Sequence, residues 1–249
     1  MRSMSALRAW LITDPLIVIA TVLFASASLF ISLFDRSGRR QAAVAAAWSR
    51  VLLAVSGVSV RVVGGAKISS SGSYVFASNH ASYMDTPVVL ANIPVQFRFM
   101  AKKGLFSIPF LGWHLARAGH IPVVRANPRA AVKTLGLAAE AVQNRGISLI
   151  VFPEGGRSRN GDLGDFKDGA AYIAIRAGVP IVPMALVGTR AVLPFGSGTP
   201  RSGAVEMRVA DPIPTAGLTL HDRGRLTQQV RETIADLLCT AGCQSEADC

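Results

Sequence analysis

Asn79 and His80 close an apolar stretch, and Asp85 follows the histidine five positions later. On a helix an i, i+5 pair points about 140° apart, and on a strand it points to opposite faces, so His80 and Asp85 can meet only across a strand-to-helix turn. Pro87 suits a first helical turn, with Thr86 as the cap and Asp85 beside the helix N-terminus, where a carboxylate is stabilised. An imidazole whose Nδ1–H is held by that carboxylate has its tautomer fixed and keeps Nε2 as a general base. The plainer reading of the same residues is a capping Asp85 and an unrelated surface His80.

A second group, Pro153-Glu154-Gly155-Gly156-Arg157-Ser158, follows the apolar run 148–152. Ligand loops of open α/β sheets lie at the carboxyl ends of strands in this way. The glycines allow close backbone approach, Arg157 can fork onto a phosphate, Ser158 adds a hydroxyl, and Glu154 can orient Arg157 or a substrate hydroxyl. The alternative is an ordinary glycine-rich turn with a solvated arginine. Arg125 ends the strand-like run 120–124, and Lys103 opens 103–113, where Phe106, Phe110 and Trp113 also suit a membrane-facing lysine. The remaining histidines have no metal-ligand spacing, and His114 and His120 read as structural or surface residues. The chain has no HExxH, GxSxG, GxxxxGK[ST] or complete GxGxxG, so zinc hydrolases, α/β-hydrolase esterases, P-loop NTPases and dinucleotide oxidoreductases lose their usual signals.

The elements that must position these residues alternate. Strands are expected at Val58–Val62, 73–78, 96–101, 120–124, 148–152, 180–188 and 205–210. Helices are expected from Pro128, after an Asn127 cap, to Arg145, from Asp168 to Ala177 with a stop at Gly178, and over 221–239. This pattern predicts an α/β domain with a mixed, mainly parallel sheet flanked by helices.

Upstream the composition changes. Pro15 to Phe34 is a run of 20 residues without a charge, about 30 Å as a helix and long enough to span a bilayer. Charged Asp35, Arg36, Arg39 and Arg40 follow, where a signal peptide would have a small-residue cleavage site, so the segment is expected to stay in the mature protein. The stretch 41–57 is too short for a comfortable span and reads as an interfacial or buried helix. A hairpin crossing twice would leave the arginines on the far side, against the positive-inside tendency. One span, or a re-entrant pair entering one leaflet, is expected, with the rest of the chain on the cytoplasmic face of the inner membrane.

Charge agrees with an anionic partner: 26 Lys and Arg, 21 of them Arg, face 15 Asp and Glu, for a net +11. A basic pI alone would suit nucleic acid, but no nucleic-acid module accompanies it, and no nucleic acid is expected as a partner. Half the 249 residues are hydrophobic, which excludes a disordered or fibrous chain. Three cysteines, Cys239, Cys243 and Cys249, give neither a disulfide framework nor a zinc site and fit a reducing compartment.

Asn79-His80-x4-Asp85 resembles the NHx4D box of the glycerophosphate and lysophosphatidate acyltransferase family. Three further stretches resemble that family's blocks in order: 103–113 with 119–125, then Phe152 to Ser158, with Gly156 where threonine is usual, then Val179 to Pro183. The resemblance implies transfer of a fatty acyl group from acyl-CoA or acyl-acyl-carrier protein to the hydroxyl of 1-acyl-glycerol-3-phosphate, giving phosphatidate. His80 would be the base and Asp85 its orienting partner. Lys103, Arg125, Glu154, Gly155, Arg157 and Ser158 would bind substrate. No cofactor, metal or covalent acyl-enzyme is expected beyond the acyl donor itself. Gly156 leaves open another lysolipid acceptor, such as lyso-ornithine lipid, and a catalytically silent basic membrane-binding protein would share the anchor and charge. The expected organisation is membrane-anchoring helices over 1–57, an acyltransferase domain over 58–240 and a tail over 241–249.

Overall fold

The computed structural model describes residues 9–35, 37–124 and 128–247. Seven strands, β1 (Val58–Val63), β2 (Val75–Ser78), β3 (Phe97–Lys102), β4 (Ile121–Val123), β5 (Ser148–Val151), β6 (Ile181–Val187) and β7 (Gly203–Val209), form one sheet in the order β1-β7-β6-β2-β5-β3-β4. The helices are α1 (Asp14–Ile31), α2 (Arg39–Val55), α3 (Asp85–Asn92), α4 (Leu111–Arg117), α5 (Pro128–Arg145), α6 (Gly169–Ala177), α7 (Thr189–Val192) and α8 (Arg223–Ala247). The β6–β7 pair is antiparallel, and the other described pairs are parallel. This is the mixed, mainly parallel sheet expected from the alternation of elements.

β2 and β5 are buried along their whole length, as parallel strands covered on both faces must be. Phe76, Ile150, Val182 and Met184 point to one face, against Leu52 and Leu53 of α2 and Val88 and Val89 of α3. Val75, Ala77, Leu149 and Ala185 point to the other, where Ala138 and Val142 of α5, Ala170 and Ala174 of α6 and Leu226, Val230 and Ile234 of α8 meet them. The alanines let α5 and α6 approach closely, and the four-residue recurrence in α8 makes a single apolar stripe.

From β2 the chain crosses through α3 to β3, and β5 later inserts between the two. The loops that follow β2 and β5 therefore leave the same sheet edge side by side, the place where open α/β sheets bind ligands.

At the other end of the sequence, a π-helical turn (Ala9–Thr13) leads into α1. Trp10–Ile31 is long and apolar enough to cross a membrane, and 6% of its most apolar stretch is buried, so this apolar surface is not a core helix of the domain. α1 is pinned to the rest by Trp48 Nε1 donating to Thr21 Oγ1 at 3.1 Å and by Thr199 Oγ1 donating to Asp14 Oδ2 at 3.0 Å. α2, in contrast, buries Leu52 and Leu53 in the domain core.

Several expectations shift. The second strand starts at Val75 rather than 73. The last helix continues to Ala247, through most of the segment set apart as a tail, and the short α7 was not foreseen. Thr86 is not a cap: α3 starts at Asp85, so Thr86 lies within its first turn, and Met84 flanks the helix without a side-chain cap. The Asn127 cap lies outside the described residues.

Candidate active site

β2 ends at Ser78, and Asn79 turns out of the sheet with its side chain fastened to the neighbouring strand. Its Nδ2 donates to the Leu186 carbonyl at 3.0 Å, and its Oδ1 accepts the Leu186 amide at 2.8 Å. The side chain thus mimics one more residue of strand pairing and fixes where His80 begins. His80 Nδ1 then donates to Asp85 Oδ2 at 2.7 Å. The same oxygen accepts the Ala81 and Ser82 amides, each at 2.9 Å. These amides belong to the turn before α3, so the Asp85 carboxylate closes that turn on itself rather than capping the helix. Asp85 is fully buried, while the His80 side chain is 18% exposed and lies flat on Phe152, 4.1 Å between ring centroids. An imidazole packed on one face and tethered at Nδ1 presents Nε2 to the open side of the sheet edge.

The loop after β5 is tied to this turn from two directions. The Ser158 amide donates to the His80 carbonyl at 2.7 Å, and the His80 amide donates to Glu154 Oε1 at 2.7 Å. Glu154 Oε2 accepts the Gly164 amide at 3.2 Å. Glu154 therefore holds backbone and does not orient Arg157 as the sequence suggested. Burial raises the Glu154 carboxyl above its ordinary value, against the lowering effect of these two amide donors.

Arg157 is oriented by aromatic rings. Its guanidinium carbon lies 3.4 Å from the centroid of Tyr83 and 5.0 Å from that of Phe195. Ser82 Oγ donates to the Leu193 carbonyl at 2.8 Å, which brings the Phe195 segment to the site. A guanidinium stacked on a ring leaves its in-plane N–H groups available, as a phosphate contact needs. Sequence reasoning missed Tyr83 and Phe195, because neither lies at a spacing that marks it. The one available signal was Tyr83's place inside the His80-to-Asp85 interval.

The other expected residues are placed as follows. Gly155 has φ +75°, and a Cβ there would sit 3.1 Å from Lys167 Nζ, so this glycine permits both the turn and the close lysine. Ser158 Oγ donates to Asn160 Oδ1 and accepts the Gly161 amide, both at 2.9 Å, which engages its hydroxyl within the loop. Lys103 is exposed at the carboxyl end of β3, the strand beside β5. Arg125 lies outside the described residues. The amides of His80, Ala81, Ser82, Gly155 and Ser158 are all engaged, whereas those of Gly156 and Arg157 have no partner among the described residues.

A carboxylate-held imidazole and an aromatic-stacked arginine at the ends of adjacent parallel strands define the class: an α/β domain with a His–Asp pair beside a glycine-rich loop. The chain belongs to the acyltransferase family, whose family model, Acyltransferase, matches residues 59–187. It is 31% identical to a 1-acyl-sn-glycerol-3-phosphate acyltransferase of Saccharomyces cerevisiae over 87% of this chain and 72% of that one. It is 35% identical to a chloroplastic enzyme of the same description from Brassica napus, over 79% of this chain and 57% of that one. The match to a chloroplastic relative from Arabidopsis thaliana covers 40% of its length, so the chain spans about half of these two plant relatives. The crystal structure of the 1-acyl-sn-glycerophosphate (LPA) acyltransferase, PlsC, from Thermotoga maritima superposes with a TM-score of 0.77 at 28% identity, over 92% of this chain and 94% of that one.

Proposed function

We propose that the protein transfers a fatty acyl group from a thioester, acyl-CoA or acyl-acyl-carrier protein, to the free hydroxyl of 1-acyl-glycerol-3-phosphate, giving phosphatidate. The observation that carries this reading is the 2.7 Å His80–Asp85 contact directly backed onto the Arg157 loop. His80 Nε2 takes the hydroxyl proton as the oxygen attacks the thioester carbonyl. The C–S bond then breaks, and the proton goes on to the departing thiolate. Asp85 keeps the tautomer and stabilises the imidazolium formed in passing. The free amides of Gly156 and Arg157 are the donors left to meet the developing oxyanion. Arg157, with Arg125 and Lys103, holds the acceptor phosphate, so these cations act by positioning. No metal, flavin or acyl-enzyme enters the reaction.

The acceptor names of the relatives support the choice of 1-acyl-glycerol-3-phosphate over other lysolipids. The apolar α1 supports association with a membrane, and we place the enzyme on the cytoplasmic face of the inner membrane. The test is purified protein in detergent with acyl-CoA and a panel of lysolipids, followed by thiol release. Fastest turnover with 1-acyl-glycerol-3-phosphate is expected, and comparable turnover by folded His80→Ala protein would refute the mechanism.

A further inference from the structure

Between Asp85 and Glu140 the chain has no acidic residue, and it has seven Lys and Arg. In the middle of this stretch a 3₁₀ turn (Lys103–Ser107) runs into α4 through a sharp corner at Phe110. Phe110 has φ +63° and ψ −55°, the only described non-glycine residue at positive φ, and the Leu111 amide donates to the Pro109 carbonyl at 2.7 Å. Those dihedrals and that bond make a classic γ-turn, a rare and strained conformation. The surroundings hold it: a Cβ on Gly112 would stand 2.1 Å from the Phe106 carbonyl oxygen, so the corner is packed tightly against its own turn.

The strained corner points apolar surface into the open. Phe110 is 61% exposed and Trp113 is 55% exposed, their rings 5.3 Å apart, with Ile108 and Leu111 beside them also exposed. Trp113 borders an open cleft with Phe30 and Leu33 of the α1 end. Ser28 Oγ on α1 is 2.8 Å from His114 Nδ1 on α4, and this contact locks the two elements together. Lys102, Lys103 and Arg117 stand exposed around the rim.

We propose that residues 105–113 are a second membrane-inserting element, a rigid wedge beside α1 that places Phe110 and Trp113 among the acyl chains of an anionic phospholipid leaflet. This rests on the membrane-associated reading above. Continuity with the exposed face of α1 favours a bilayer as the occupant, and the rim cations complement anionic headgroups. A backbone corner held at a conformation phenylalanine disfavours, for a ring that packs against so little protein, is explained by a role outside the protein.

The test uses two single-tryptophan forms of the full chain. Trp10→Phe/Trp48→Phe keeps Trp113, and Trp48→Phe/Trp113→Phe keeps Trp10. Each is mixed with phosphatidylglycerol–phosphatidylcholine vesicles carrying chain-brominated lipid. Quenching of both tryptophans is expected. Quenching of Trp10 with Trp113 unaffected overturns the wedge and leaves the α1 anchor standing, whereas quenching of neither overturns both. Protection of Trp113 by a soluble acidic carrier protein, without quenching by brominated lipid, would make the face a protein-docking site and also overturn the proposal. Phe110→Gly separates folding from membrane contact, because glycine accepts positive φ. Its thermal midpoint should not fall and its turnover of a short-chain, water-soluble lysophosphatidate should hold, while its vesicle partition weakens about tenfold through loss of one inserted aromatic. Unchanged partition in this variant overturns the wedge.

Discussion

Arg157 is packed on Tyr83 and Phe195, and His80 is held by Asp85 and Phe152, so in both cases the group proposed to meet substrate is positioned by a neighbour with another role. The two pairs predict different kinetics. His80→Ala should lower kcat by about 10²–10⁴, the usual share of a positioned base, and Asp85→Asn should lose much of the same rate through the wrong tautomer. Turnover within twofold of the parent in either folded variant would refute the assignment. Arg157→Ala should weaken the acceptor term by roughly ten- to a hundredfold, for a lost charge-assisted contact of about 1.5–3 kcal/mol, with the acyl-donor KM little changed. Tyr83→Ala should act on the same parameter through Arg157 alone, by about two- to fivefold, the size of an exposed cation–π contact. Tyr83→Phe, which keeps the ring, should restore it. An acceptor KM for Tyr83→Ala equal to the parent's would show that Arg157 needs no aromatic support.

At the scale of elements, the features legible in the sequence are those that local chemistry decides. The turn between His80 and Asp85 followed from the mismatch of their spacing with any regular element. The strands followed from apolar runs, and the α6 stop followed from Gly178, which has φ +67°. What was not legible depends on pairing across the sheet. Asn79's only local partner among the described residues is the Ser78 hydroxyl at 3.4 Å, and its role is visible only once β6 brings the Leu186 backbone beside it. Thr86 was misread because the helix starts one residue earlier, at Asp85, whose carboxylate folds back onto the preceding turn. His120, read from the sequence as a structural or surface residue, is structural: its Nδ1 accepts the Phe99 amide at 2.9 Å, on β3 beside the short β4. Burial, His114 and Arg98 push its imidazole down to about 3 from an ordinary 6.5. Between those values the unfolded chain holds the extra proton and the folded chain does not, so stability falls as pH drops below 6.5. The loss from this residue should be on the order of 3 kcal/mol between pH 7 and pH 4, read from denaturant unfolding at each pH. His120→Asn keeps an acceptor for the Phe99 amide without a titrating ring, and its profile should be flatter. A slope as steep as the parent's would assign the acid sensitivity elsewhere.

Taken whole, the molecule is a basic α/β domain with an apolar helix laid along one end, and the boundary between the two parts does not fall at residue 57. α2 buries Leu52 and Leu53 in the same cluster as Phe76, Val88 and Met184, so removing residues 1–57 would uncover the part of that sheet face that α3 does not cover. A cut after Asp35 is the informative one. It gives up the Trp48–Thr21, Thr199–Asp14 and Ser28–His114 contacts, which lie partly in solvent, and it removes the exposed apolar surface of α1. The shortened chain should remain folded, and its turnover of a short-chain, water-soluble lysophosphatidate should stay within about threefold of the parent, since no residue of the His80 or Arg157 groups is lost. Long-chain acceptor in vesicles is different, because lifting it toward a site no longer seated at the headgroups exposes hydrocarbon at about 0.8 kcal/mol per CH₂. Two exposed methylenes already exceed a factor of ten, so bilayer activity should fall at least about tenfold. What binding remains should rest on the wedge of residues 105–113 and on the net charge of +11, and should weaken as salt shortens the Debye length from about 10 Å at 0.1 M to about 3 Å at 1 M, whereas the full chain should stay on the vesicles. Flotation of both chains at the two salt concentrations, with activity measured on each lysolipid, decides the matter. A shortened chain that acylates bilayer substrate at the full rate would show that α1 does not set the height of the site.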